Sequence, residues 1–218
     1  MATAAERQAY ITRVAATLRG KSTRGLFPSV IIAQAALESG WGKSLLAAQY
    51  NNHFGMKRGT FGTDYGGWSS GKTVTLKTGE VYNGQSCTID GVFRVYDSLA
   101  DSVADHNGLF YRLSRYAAVC KATTPEAQIR AIADGGYATA THYVTGVLAV
   151  ITANNLTRFD TPEYGYDVAT DTTTGNATGN DGEQATAGKK KLLIWASVAA
   201  AAALALAIAL PLIIKRKR

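Results

Sequence analysis

Two cysteines, Cys87 and Cys120, are all the thiols that 218 residues contain, so no disulfide framework holds this chain together. One bridge stays open, because sequence separation does not say whether two Cα atoms come within about 7 Å; two free, buried thiols are the other reading. Zinc-type Cys/His spacing is missing, as is a phosphate-cradling GxxxxGKS/T loop, and the aromatics are not interleaved with arginine as on nucleic-acid-binding surfaces. Neither a metal, nor a cofactor, nor a nucleic-acid partner is expected. The opening stretch, MATAAERQAYITRVAATLRG, alternates apolar and charged residues at helical spacing and lacks the apolar run of about 7–15 residues that marks a secretory signal.

What is present divides into three regions of unlike charge. Residues 1–160 carry a net +5, residues 161–188 carry −5 with no Lys or Arg at all, and residues 189–218 carry +7 with no Asp or Glu. The first is long enough for one globular domain. The second, rich in Thr, Gly, Asn and Asp without apolar periodicity, buries too little to offset its ordering entropy and is expected to be a flexible acidic linker. In the third, Leu192 to Ile214 run 23 residues without a charge. At about 1.5 Å per residue that crosses the roughly 30 Å core of a bilayer. Lys189-Lys190-Lys191 and Lys215-Arg216-Lys217-Arg218 flank it, and Trp195 sits near one interface, which predicts a single C-terminal transmembrane helix with the bilayer as its partner.

Phe27-Pro28-Ser29 opens a helical pattern whose apolar face comprises Ile31, Ile32, Ala35, Ala36 and Leu37, with Pro28 suited to the first turn and Gly40 to the stop. Glu38 falls in the last turn. There the partial negative charge of the carbonyl end, and desolvation by Leu37 and Trp41, are expected to favour the protonated carboxyl, as a general acid near neutral pH requires. From spacing alone, a solvated Glu at a frayed helix end explains the position equally well.

The surrounding residues decide between these. Gln34-Ala35-Ala36-Leu37-Glu38-Ser39-Gly40-Trp41-Gly42-Lys43-Ser44 is followed by Asn51-Asn52-His53-Phe54-Gly55-Met56-Lys57, then Phe93-Arg94-Val95-Tyr96-Asp97-Ser98, then Ser102 to Tyr116, then Gly136-Tyr137-Ala138-Thr139. In this order the motifs resemble the glucosaminidase family, glycoside hydrolase family 73, over about residues 6–160. The resemblance implies a lysozyme-like domain, mainly helical (α+β), with a small β-hairpin lobe. The glycine-spaced stretch between Gly59 and Phe93 agrees, with Thr73-Val74-Thr75-Leu76 and Val81-Tyr82 expected to be strands joined by a tight turn at Lys77 to Glu80.

It implies further that Glu38 is the general acid, that Glu80 is the second carboxylate assisting water, and that Tyr137 stands near the oxocarbenium-like transition state. The family pattern continues after GYAT with Asp-Pro, where this chain has Ala140-Thr141. Trp41 and Trp68 are candidates to stack on sugar faces, and Asn51, Asn52, His53 and Phe54 count with them as residues that shape the substrate cleft. The expected activity is endo-β-N-acetylglucosaminidase cleavage of the β-1,4 glycan strands of peptidoglycan. N-acetylmuramidase or lytic transglycosylase activity is the nearest alternative, and a non-catalytic wall-binding module is the alternative of another class. The expected location is a bacterial membrane with the domain facing the wall, or the inner face as a phage lysis protein.

Overall fold

Helix α1 (Ala4–Leu18) starts at Thr3, whose hydroxyl accepts from the Glu6 amide while the Glu6 carboxylate accepts from the Thr3 amide at 2.7 Å, a reciprocal cap. Helix α2 (Pro28–Glu38) is mostly apolar, with Ser29, Gln34 and Glu38 its polar residues, and each of its residues is buried except the half-buried Leu37. A helix so largely apolar belongs at the centre. It packs against α1, against α6 (Tyr143–Ala153) and against the short turn Leu156–Phe159. Between them lie α3 (Leu45–Tyr50), α4 (Leu99–Arg112) and α5 (Pro125–Asp134), each begun by a Ser or Thr whose hydroxyl accepts from a first-turn amide. The structure, a computed structural model, describes residues 1–59, 62–82, 85–138 and 142–167, and at 80–82 and 85–87 the backbone alone.

Strands β1 (Thr73–Tyr82) and β2 (Gln85–Arg94) pair antiparallel, in register from Thr73 opposite Arg94 to Tyr82 opposite Gln85. This corrects the expected turn at Lys77 to Glu80: those residues continue β1, with Lys77 opposite Asp90 and its ammonium 2.9 Å from that carboxylate. The two residues between the strands are Asn83 and Gly84, the dipeptide that two-residue hairpins favour most. Thr78-Gly79 misled the sequence reading because glycine inside a strand also marks bends and close approaches.

The base of the hairpin is fixed to the helices by a buried ion pair. Arg94 (1% exposed) donates to Asp105 of α4 (0% exposed) at 2.7 Å, and to the carbonyls of Lys57, Arg58 and Thr63. The Asp105 carboxylate also accepts from the Tyr96 hydroxyl and the Tyr65 amide. With four hydrogen bonds from the guanidinium and three to the carboxylate, the pair survives removal from water, which an isolated charge does not.

The folded domain continues past residue 160, where the sequence reading begins the linker. The Thr23 amide donates to the Gly165 carbonyl, the Tyr166 ring stacks on Phe27 at 4.5 Å, and Asp167 accepts from the Ser22 hydroxyl and the Gly25 amide. A Cβ at Gly165 would stand 1.6 Å from the Lys21 carbonyl oxygen, so only glycine lets this strap lie down. Among the described residues no helix is long and apolar enough to cross a membrane; the span expected at 192–214, and the linker after Asp167, lie outside them. Cys120 is a free thiol.

Candidate active site

Glu38 closes α2 and is 8% exposed. The chain leaves the helix through Ser39 and then three consecutive left-handed residues, Gly40 (φ +56°), Trp41 (+62°) and Gly42 (+77°). A Cβ at Gly42 would meet the Tyr10 ring at 2.6 Å, so that glycine is required by contact as well as by conformation. Trp41 has no such freedom, and a left-handed bulky residue is strained by about 1–2 kcal/mol.

Hydrogen bonds hold the turn in that shape. The Ser39 hydroxyl donates to the Ala35 carbonyl (2.6 Å), accepts from the Gly42 amide (2.7 Å) and lies 3.0 Å from the Tyr10 hydroxyl. Tyr10 in turn meets His53 Nδ1 at 2.8 Å. Burial, and secondarily the Arg13 charge, lowers the His53 pKa to about 4, so the ring is neutral and shares one hydrogen bond with the Tyr10 hydroxyl. His53 therefore supports the turn after Glu38 through Tyr10.

In front of Glu38 a groove of about 320 Å³ is bounded by Ser44, Leu45, Leu46, Asn52 and Gly55 on the helical side and by Leu76, Lys77 and Phe93 on the hairpin. That volume is at the lower end for small-ligand sites. Leu45 is 50% exposed, giving the groove an apolar lip. Nothing in the sequence marks Leu45 or Leu76, since both read as ordinary helix and strand residues until the hairpin folds over α3. Glu80 follows Leu76 by four residues along β1, so the two positions share a sheet face; the Glu80 side chain is outside what the structure describes.

Behind Glu38 lies an aromatic layer. Tyr137 is 9% exposed and its ring contacts those of His106, Phe110 and Tyr143. Burial, and after it the Glu38 charge, holds both Tyr137 and Tyr143 far above the ordinary phenol range, so both carry their protons as donors. Tyr143 accepts from Gln34 Nε2 at 2.6 Å, while the buried Tyr137 hydroxyl has no hydrogen-bond partner among the described residues. Stacked on Phe54 at 3.8 Å, His106 has its pKa lowered to about 3 by burial.

The other expected cleft residues divide. Asn52 lines the groove, but its amide group is spent on the backbone, donating to the Met56 and Arg94 carbonyls and accepting from the Met56 amide. Asn51 caps α3 in the left-handed conformation (φ +50°) and donates to the Tyr96 and Asp97 carbonyls. Phe54 is buried in the aromatic layer. Trp41, half-buried, stands edge-on to Tyr10 with the Arg7 guanidinium 5.8 Å from its ring centre, and does not line the groove. Trp68 is 5% exposed, donates its indole N–H to the Lys72 carbonyl and lies under the Arg94 guanidinium at 4.5 Å. Its ring faces are not offered to a sugar. Sequence reading gave no role to Arg94, Asp105 or Tyr10, although the first two stand within its own motifs.

The chain matches the glucosaminidase family (mannosyl-glycoprotein endo-beta-N-acetylglucosaminidase) over residues 15–156. It is 39% identical over 165 residues to a probable N-acetylmuramidase of Lactococcus lactis subsp. lactis, covering 70% of this chain and 35% of that protein. It is 36% identical over 140 residues to the exo-glucosaminidase LytG of Bacillus subtilis, covering 62% and 46%. The chain thus spans between a third and a half of the length of these relatives. Among solved structures, the catalytic domain of the autolysin Auto from Listeria monocytogenes superposes with a TM-score of 0.59 at 30% identity, over 73% of this chain and 90% of that one. A helical domain with a two-stranded sheet, a buried Glu at the end of its central helix and a match across two thirds of its length together show that this chain belongs to the glucosaminidase family.

Proposed function

We propose that this protein is a glycoside hydrolase that cuts the β-1,4 glycan backbone of bacterial peptidoglycan as an endo-β-N-acetylglucosaminidase, with Glu38 protonating the leaving oxygen. The observation that carries the reading is the Glu38 carboxyl, buried at a helix end yet lining a groove whose far wall is the hairpin. Water is largely displaced from such a carboxyl, and proton donation to a glycosidic oxygen is the chemistry it suits. Glu80 is proposed to assist the attacking water from the same sheet face as Leu76. The Tyr137 hydroxyl, protonated and buried without a partner among the described residues, is proposed to donate to charge that develops beside the acid.

The reading is tested by mixing the purified protein with intact cell walls and following turbidity and new reducing ends. Both should change with wild type and neither with Glu38→Gln; an unaltered rate in that variant removes Glu38 from the role. Product mass spectrometry decides the bond. Reducing glucosamine ends are expected. Reducing muramic acid ends would instead support the second reading, favoured by the relative named a probable N-acetylmuramidase, and 1,6-anhydro ends would indicate transglycosylation.

Residues 192–214 are proposed to anchor the chain in a bacterial membrane with the domain toward the wall. Protease cleavage within 168–188 in intact spheroplasts is the expected result. Protection there would place the domain on the inner face, as for a phage lysis protein.

A further inference from the structure

A second groove, of about 290 Å³, shares no lining residue with the Glu38 groove. It lies where the end of α1 and the loop into α2 face α4 and the loop at Tyr65-Gly66. Three exposed cations line it, Lys21, Arg24 and Arg112, and no acidic residue does. Elsewhere on the domain some exposed cations meet carboxylates, Arg19 with Glu163, Lys43 with Glu6, Lys72 with Asp97, Lys77 with Asp90 and Arg130 with Glu126, while Arg13, Arg58, Arg115, Lys121 and Arg158 form no ion pair among the described residues. What sets Lys21, Arg24 and Arg112 apart is that all three line one groove. Lys21, Arg24 and Arg112 have no such partner within 4 Å among the described residues. The nearby Asp167 carboxylate is engaged with the Ser22 hydroxyl and the Gly25 amide.

Arg24 carries a further sign. It stands in the left-handed conformation (φ +49°), which arginine rarely adopts, with its amide donating to Ser22 Oγ and its guanidinium 5.1 Å from the Tyr111 ring centre. Tyr111 is itself fixed by donating to the Thr23 carbonyl at 2.7 Å. Backbone strain that presents a charged side chain on a fixed aromatic plate is the arrangement found at ligand clamps.

We propose that this groove binds an acidic peptide with small side chains. Lys21, Arg24 and Arg112 would take its carboxylates, and the apolar wall presented by Ala100 and Ala104 would take its methyl groups. The mixed lining decides the ligand class: a polyol phosphate brings charge and hydroxyls but nothing for the apolar wall, whereas an alanine- and glutamate-containing peptide brings both. Identifying that peptide with the branches on wall glycan rests on the function proposed above; the groove's own chemistry does not.

The test is calorimetric titration of the full chain in detergent with the synthetic peptide Ala-Glu-Ala-Ala, its C-terminus free. Saturable binding is expected, weakened about tenfold or more in the carboxylate-free peptide Ala-Gln-Ala-Ala amide and in the double variant Arg24→Asn, Arg112→Gln. Asparagine tolerates the left-handed conformation, and an unchanged melting temperature shows that the double variant is folded. No binding by wild type, equal binding of the two peptides, undiminished binding by the double variant, or tighter binding of poly(glycerol phosphate) overturns the proposal. Glu38→Gln protein should bind the peptide as wild type does. A chain that binds peptide but leaves walls intact therefore defeats the catalytic reading and not this one, and a chain that cuts walls without binding peptide does the reverse.

Discussion

The two walls of the Glu38 groove are built to different standards. On the helical side, Glu38 sits at the end of a helix buried all round, and its turn is fixed by Ser39, Gly42, Tyr10 and His53. On the other side stands a two-stranded hairpin, a unit that is marginal alone in water, joined to the helices at its base through Arg94 and Asp105. Farther along it, Ile89 is 44% exposed and the Lys77–Asp90 pair lies in solvent. The difference teaches that fixing contacts are concentrated around the proposed proton donor, while the facing wall is secured at its base.

The sharpest way to break this contrast is to remove the proton from the helical wall. Glu38→Gln should lower wall-hydrolysis kcat by about a thousandfold with the melting temperature unchanged; a parallel loss of stability would show that the carboxyl is structural. Next comes the joint. Arg94→Met leaves Asp105 charged and buried and should cost about 3–5 kcal/mol in denaturant unfolding, whereas Lys77→Met, an exposed member of the hairpin, should cost less than about 1 kcal/mol. Equal effects would refute the idea of a hairpin held at its base.

Smaller still, Gly42→Ala places a methyl in the Tyr10 ring and forces a left-handed alanine, so about 2–3 kcal/mol of stability should be lost. Wall hydrolysis should fall more than stability alone explains. Last is pH. His53 and His106 have folded pKa values lowered to about 4 and about 3. Below about 6.5 the unfolded chain binds protons that these native rings refuse, so stability is full above that pH. It is lost as pH falls, by about 1.4 kcal/mol per unit for each ring, until the folded values are reached. In His106→Gln, unfolding free energy measured from pH 7 to pH 4 should decline about half as steeply; an unaltered slope would mean that other groups set the acid limb.

Much of this was legible in advance, for identifiable reasons. A mostly apolar helix opened by Pro28 and closed at Gly40 announces a central element, and the ordered motifs from Gln34 to Thr139 announce the family. The hairpin turn was misplaced because Thr78-Gly79 and Asn83-Gly84 both read as punctuation, and only pairing across the sheet separates them. Trp68 read as a sugar platform because an aromatic among glycines is as consistent with a loop surface as with a lid on a buried arginine. Arg94 and Asp105, eleven positions apart on different elements, leave no periodic trace at all; their meeting is a property of the folded chain. The position of Glu80 relative to Leu76 is a matter of strand register, which the misplaced turn concealed.

The strap at 161–167 has a mechanical consequence. It is fastened to the loop that joins α1 to α2, through Gly165 and Asp167, rather than trailing from the end of α6. Tension arriving from a membrane anchor beyond residue 167 would enter the protein at that loop, while Glu38 stands at the opposite end of α2, about 15 Å of helix away. A pull on such a leash would be spent on the fastening before it could reach the turn after Glu38.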